Sequence, residues 1–367
     1  MRDKPPFRAD MVGSLLRTKP LREAREKHEK GDITAAALKE VEDREIRGIV
    51  KRQEEIGLQS ATDGEFRRAW WHFDFLERLT GVEGYEPAGG GIQFHGVQTK
   101  ARSVRVVGKL DFPADHPHLQ HFRFLKDTTR LVPKMTIPSP SMLHYRGGRQ
   151  AIDPKVYPDV EGYYEDLGKT YAKAVKAFYD AGCRYLQLDD TSLAYFCDPE
   201  QRKMLRDRGD DPDLLIHRYR DIINAATRDR PSDMVITTHT CRGNFRSTFI
   251  ASGGYEPVSD IVFNEIDVDG YFMEWDDDRS GGFAPLRKLP KGKLVVLGLV
   301  TTKVGALEKR DDILRRIETA AQFAPLDQLC LSPQCGFAST EEGNVLAEEE
   351  QWAKLALIVD IAREVWR

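Results

Sequence analysis

Short, mostly apolar runs that end in polar or small residues recur along the chain, and stretches with helical spacing separate them. Eight runs stand out: RADMVGS (8–14), LQSATDGE (58–65), LVPKMTIPSP (131–140), CRYLQLDD (183–190), DMVITTHTC (233–241), GYFMEWDD (270–277), KLVVLGLVTT (293–302) and QLCLSPQC (328–335). Runs this short, with little in–out alternation, suit parallel strands covered on both faces. In EGYYEDLGKTYAKAVKAFYDAG, residues Tyr164, Leu167, Tyr171, Val175 and Phe178 fall at three- and four-residue steps, and Gly182 sits where a helix-ending glycine belongs. Thr34 to Ile56, followed by Gly57, and Glu308 to Phe323 carry the same period. The alternation predicts an α/β fold, a single (β/α)8 TIM barrel spanning residues 1–367. Two segments fall outside it. The first 30 residues or so, with the helix-like PLREAREKHEKG, form an N-terminal helical extension. Residues 92–127 read as short antiparallel strands and a loop inserted after strand 2.

Composition narrows the class without changing that picture. The 367 residues are 40% hydrophobic and 31% charged, enough for a proper core in a soluble protein. A net charge of -4 with dispersed Lys and Arg argues against nucleic acid as a partner. No apolar run approaches the ~20 residues that cross a bilayer, so no membrane partner is expected. The start, MRDKPPFRAD, lacks a signal-peptide core, and five cysteines without a dense framework fit free or metal-bound thiols. A cytoplasmic location is therefore expected, and a homo-oligomer stays open.

In such a barrel the active site lies at the C-terminal ends of the strands. Seven of the eight runs end in chemistry-bearing groups: Ser14; Asp63 and Glu65; Asp189 and Asp190; His239 and Cys241; Glu274 and Asp276; Lys303; Cys335. A purely structural role predicts no such bias. His239 and Cys241 are two apart on one run, so they point to the same face and offer half of a metal site. Cys335, followed by Gly336, is the natural third ligand. Cys330 reads as a core residue, Cys183 lies at the wrong strand end, and Cys197 is an outside candidate. The fourth ligand is Glu265 or Glu274, with position favouring Glu274.

MVGSLLRT, TDGEFRRAWWHFDF, PKMTIPSPSML, YLQLDD, HTCRGN, YFMEWDDDRSGGF and LCLSPQCGF follow one another as in cobalamin-independent methionine synthases, within the superfamily that also holds uroporphyrinogen decarboxylases. The resemblance covers nearly the whole chain and is closest to the short homologues that match only the C-terminal catalytic half of the long enzymes. It implies a catalytic Zn2+ held by His239, Cys241, Glu274 and Cys335. It also implies Ser14 for the homocysteine carboxylate, and Glu65 with Asp189 for its ammonium group. The activity implied is that of a 5-methyltetrahydropteroyltriglutamate–homocysteine S-methyltransferase, with homocysteine and a methylfolate-type donor as small-molecule partners. The sequence departs from the family in three places. The N-terminal barrel is missing. The pterin-stacking tryptophan has no counterpart in TIPSPSMLHYR, although Trp70 and Trp71 could substitute. The strand-seven histidine is absent, and Lys303 is nearest to its position. Asp190 and Lys303 are accordingly the catalytic candidates for the proton donor, with His72 and His95 behind them. Alkyl transfer to another thiol, as in epoxyalkane:coenzyme M transferases, is the alternative, kept open by Arg67 and Arg68. A metal-free decarboxylase-like barrel comes third.

Overall fold

A computed structural model describes residues 2–367. Seven parallel strands form one curled sheet in the order Ser60–Ala61, Val132–Pro138, Tyr185–Asp190, Val235–Thr240, Gly270–Glu274, Leu294–Val300 and Leu329–Pro333. Spatial order follows chain order, as expected when each strand is succeeded by a crossover that returns to the same sheet edge. The expected helices are present. Thr34 caps Ala35–Ile56 by accepting a hydrogen bond from the Ala37 amide, and Gly57 ends that helix in the left-handed region at φ 89°. Val160–Asp180 buries Tyr164, Leu167, Tyr171, Val175 and Phe178, the residues of the predicted stripe. Among the described residues, no helix is long and apolar enough to cross a membrane.

The first run, expected as a strand over 8–14, is extended chain that makes only one strand-like bridge, Ala9 to Leu331. Its remaining backbone partners are mostly side chains. Lys134 donates to the Met11 carbonyl, Gln187 to that of Val12 and Thr62 to that of Gly13. The segment thus lies between the last strand and the first one without joining the ladder on both sides.

Residues 92–127 also differ from expectation. The antiparallel pair starts earlier, with Thr80–Tyr85 against Ser103–Asp111, and a two-residue hairpin at Gln93–Phe94 and Val97–Gln98 lies between. Pro117–Thr128 is a helix. Pro117 suits a first helical turn, and Leu119, Phe122 and Leu125 recur every three residues on its buried face.

Asp10 anchors the extended first segment. Its carboxylate accepts from the amides of Phe7 and Met11, the Tyr185 hydroxyl and the Lys134 ammonium, which lies 3.3 Å away with both side chains fully buried. Removing one partner of a buried ion pair strands the other charge. Asp10→Ala is therefore expected to cost about 3–5 kcal/mol in chemical denaturation. The double variant Asp10→Ala/Lys134→Met should recover part of that loss. A double variant no more stable than the single would remove the ion pair as the cause.

Candidate active site

Three strand ends bring the four metal-ligand candidates together. His239 lies within Val235–Thr240 and Cys241 directly follows it; Glu274 ends Gly270–Glu274; Cys335 follows Leu329–Pro333. Register sets their level, since Asp189 pairs with His239 and His239 with Phe272. All four side chains are buried, and their ligand atoms lie within 4.8 Å of one another. The Sγ atoms of Cys241 and Cys335 are 3.4 Å apart. His239 Nδ1 donates to the Phe272 carbonyl at 3.3 Å, because a carbonyl can only accept. That leaves Nε2, buried without a partner, as the nitrogen that would bind a metal once its proton is displaced. The Gly243 amide donates to Cys241 Sγ at 3.3 Å. Glu274 accepts from the Arg242 amide at 3.1 Å and from Arg279 at 3.2 Å. Both groups that orient the carboxylate come from the chain beside it.

Protonation follows from this crowding. The hydrogen bond from Cys241, with help from His239, pushes the Cys335 thiol down to about 5, while the same bond and burial push Cys241 well up. Burial opposes charge on His239, but Cys335, Asp189 and Glu274 hold its pKa up at about 9. Burial also opposes charge on Glu274, yet Arg279, Lys303 and His239 outweigh it and keep the carboxyl below its usual range. The anionic donors therefore share protons that a divalent cation would displace. Two thiolates, one imidazole and one carboxylate, with ligand atoms within 4.8 Å of one another and a buried, unpartnered Nε2, fit a metal ion that displaces those protons.

Above this cluster opens a cleft of about 590 Å³, counting its mouth. Ser14, Glu65 and Asp189 line it together with His239, Cys241 and Cys335. Ser14 Oγ accepts from the Ala338 amide at 3.3 Å, and a Cβ on Gly336 would lie 1.9 Å from that oxygen, so only glycine fits there. Glu65 holds a positive φ of 60°, a strained conformation fixed by Asp63 accepting its amide at 2.9 Å. One Glu65 oxygen accepts from Thr136 at 2.9 Å, with Arg68 3.5 Å away; the other is buried and unpartnered. Asp189 accepts from Gln187 at 2.7 Å. Burial pushes the Glu65 carboxyl up and lifts Asp189 to about 7. Two under-partnered carboxyl groups facing one cleft make a seat for a cationic group.

Of the other candidates, Trp70, Trp71 and His72 line the cleft and the rest do not. Asp190 points to the opposite face from Asp189, as strand alternation requires, and accepts from Ser141, Ser192 and the Leu193 amide. Lys303 lies behind the wall and donates to Asn244 at 3.1 Å, while Asn244 itself lines the cleft. His95 lies tilted against Phe249 outside the lining; of the histidines offered as proton donors only His72 lines the cleft. Glu265 pairs with Arg220 on the surface, which leaves Glu274 as the acidic member of the cluster. Cys183, Cys197 and Cys330 are buried free thiols outside the cluster, Cys330 in an apolar group with Val12 and Phe272. Arg67 is tied to Glu42 and Asp43, and Arg68 donates to the Thr136 carbonyl, so neither is a free anion seat.

Among the lining residues that the sequence did not single out are Asn244, Phe94 and Arg146. Asn244 closes the HTCRGN motif and donates to the Gly336 carbonyl at 2.8 Å, linking two ligand-bearing loops. Phe94 belongs to the hairpin between the antiparallel strands. Arg146 follows the strand Val132–Pro138 at its C-terminal end, in the YRGGR stretch.

Residues 153–364 match the family described as Cobalamin-independent synthase, Catalytic domain. The chain is 56% identical to the uncharacterized protein YxjH of Bacillus subtilis over 366 residues, 99% of this chain and 96% of that protein. A solved Listeria monocytogenes structure, described as a candidate vitamin-B12 independent methionine synthase, is 44% identical with full coverage of both chains and a TM-score of 0.82. The 5-methyltetrahydropteroyltriglutamate–homocysteine methyltransferase of Bacillus velezensis is 25% identical over 357 residues, 96% of this chain but 42% of that enzyme. The chain belongs to the cobalamin-independent methionine synthase family, in its short single-domain form.

Proposed function

We propose that this chain is a zinc-dependent thiol methyltransferase that converts homocysteine to methionine, with a 5-methyltetrahydrofolate-type compound as methyl donor. One observation carries the reading: a His–Cys–Glu–Cys cluster lies at the base of a cleft that also holds two buried, under-partnered carboxyl groups and Ser14. His239, Cys241, Glu274 and Cys335 would hold the zinc. Zinc bound there supplies a Lewis acid that keeps an incoming thiol deprotonated at neutral pH.

The chain's own residues do the positioning. Glu65 and Asp189 take the ammonium group of the amino acid, and Ser14 meets its carboxylate. Those contacts aim the sulfur toward the base of the cleft and fix its approach, which is where orientation lowers the barrier. The sulfur then bonds to the methyl carbon, the carbon–leaving-group bond breaks, and the leaving atom keeps the electron pair and takes a proton. Neither Asp190 nor Lys303 lines the cleft to supply that proton directly. His72 is the lining group with uncommitted nitrogens, although burial holds its pKa well below the ordinary histidine value. Its role is hydrogen bonding rather than full proton storage.

The test is formation of methionine by zinc-loaded protein from homocysteine and 5-methyltetrahydrofolate, followed by mass spectrometry with a deuterated methyl group. Label in methionine is the expected result. Label in no product with homocysteine, but in another offered thiol, would move the chain to the alkyltransferase class.

A further inference from the structure

Cys241 and Cys335 follow strands that are not neighbours. Gly270–Glu274 and Leu294–Val300 lie between Val235–Thr240 and Leu329–Pro333 in the sheet, so no shared ladder sets the 3.4 Å between the two sulfurs. A direct link runs through Asn244 instead. This buried amide fills every hydrogen-bonding place it offers. Its Oδ1 accepts from Lys303 Nζ at 3.1 Å and from Asn344 Nδ2 at 2.9 Å. Its Nδ2 donates to the Gly336 carbonyl at 2.8 Å and to Ser339 Oγ at 3.3 Å. Asn344 Nδ2 also donates to the Thr302 carbonyl at 2.8 Å, and its Oδ1 accepts from the Ser247 amide at 3.0 Å. Two of the loops that meet here carry the cysteines: Asn244 lies three residues after Cys241, and Gly336 follows Cys335.

Lys303 is the charged member of this network. It is buried, its ammonium bonds Asn244 and the Thr248 carbonyl, and among the described residues it forms no ion pair. A buried ammonium without a counter-charge is costly unless something nearby offsets it. Burial opposes charge on Glu274, and after Arg279 the Lys303 ammonium is the next charge that favours it. Two thiolates and a carboxylate around a divalent ion keep one negative charge, which an ammonium behind the wall offsets. We infer that Lys303, Asn244 and Asn344 form a positioning clamp that holds the Cys241 and Cys335 loops at metal-binding separation, with the lysine charge balancing the anionic ligand set. None of the three is a ligand; all act through the loops. This rests on the reading of the cluster as a metal site, but no methyl transfer is needed to test it.

Zinc affinity is measured by competition with a chromophoric chelator. Cobalt(II) bound in place of zinc reports geometry through its thiolate charge-transfer and d–d absorption. Groups that orient ligands from outside are worth about 10- to 100-fold in metal affinity. Asn244→Ala is expected to lose that much and to weaken both sets of cobalt bands, while its circular dichroism stays that of wild type. Lys303→Met should lose about 10-fold. In the double variant the two losses should combine to less than their product, because both act through one link. Asp10→Ala is the control for instability alone. Asp10 bonds Lys134 and Tyr185 near the opposite ends of their strands, so zinc affinity in that variant should stay within about 2-fold of wild type. Should Asn244→Ala not fold, Asn344→Ala and Lys303→Met decide by the same readouts. Unchanged affinity and cobalt spectra in these variants would overturn the clamp alone, as would an equal loss in Asp10→Ala. Wild-type protein that binds neither metal would overturn the clamp together with the ligand set it serves.

Discussion

Cys335→Ala protein, purified without a tag and supplied with zinc, is expected to hold less than a tenth of the metal that wild type holds. A structural zinc site contributes roughly 10–16 kcal/mol of apparent affinity, shared among four ligands. Losing one thiolate therefore costs about two to three powers of ten in affinity. Geometry supports placing Cys335 at the centre of that loss. Its sulfur is 3.4 Å from Cys241, and the ligand atoms of His239 and Glu274 lie within the same 4.8 Å. Cys330→Ala, which removes a buried thiol from an apolar group, should keep full occupancy. Acid should mimic the ligand variant, because protons compete for the thiolates and imidazole. His239 holds its proton up to about 9 in the metal-free cluster, so metal loading declines as pH falls and each metal bound releases protons. Elemental mass spectrometry across pH 5 to 8 checks both points, with circular dichroism to show that the variants fold. Full zinc content in Cys335→Ala would sink the four-ligand assignment.

Why the His239–Cys241–Glu274–Cys335 cluster was readable from sequence, while the surroundings of Asp190 and Lys303 were not, comes down to what strands do to side chains. His239 and Cys241 are two apart at a strand end, so a common direction follows from the pleat alone. The same rule separates Asp189 from Asp190, which accepts from Ser141 and Ser192 instead. Choosing Glu274 over Glu265 needed only position along the run, and the surface pairing of Glu265 with Arg220 agrees. Lys303 occupies the right strand end, but a long side chain can turn away from the cleft, and here it turns to Asn244. Arg146 and Phe94 come from loops and hairpins whose path no periodicity dictates.

The fold shows the same division. Apolar runs followed by helices marked the parallel sheet, because burial on both faces leaves a compositional trace. The first run resembled the others in composition, yet its carbonyls are bonded by Lys134, Gln187 and Thr62 rather than by a second neighbouring strand. Hydropathy alone cannot distinguish those two ways of satisfying buried backbone. The helix Pro117–Thr128 was hidden by His118 and His121 within it and His116 at its cap, whose polarity masks a face that is buried in the structure.

Glu65→Gln and Asp189→Asn are each expected to raise KM for homocysteine about 10- to 100-fold while zinc content stays unchanged. A hydrogen bond to a charged group is worth about 1.5–3 kcal/mol when its loss leaves the partner buried, which sets that range. Both carboxyls line the cleft and are short of partners, with one Glu65 oxygen wholly unbonded. Neither is a metal ligand, so kcat should fall less than kcat/KM. The comparison thiol is 4-mercaptobutanoate, which is homocysteine without its amino group. Its binding should not weaken in either variant, since it offers no ammonium ion to lose. The pH dependence has a definite sign. Burial lifts Asp189 to about 7 in the metal-free cleft, so below that pH an incoming ammonium group must first displace a proton and its affinity falls. A bound divalent cation favours the carboxylate and moves the inflection to lower pH. Asp189→Asn should flatten the dependence on that side. If both variants weaken 4-mercaptobutanoate as much as homocysteine, the two acids are shaping the cleft rather than reading the amino group. The thiol acceptor would then be a compound without one.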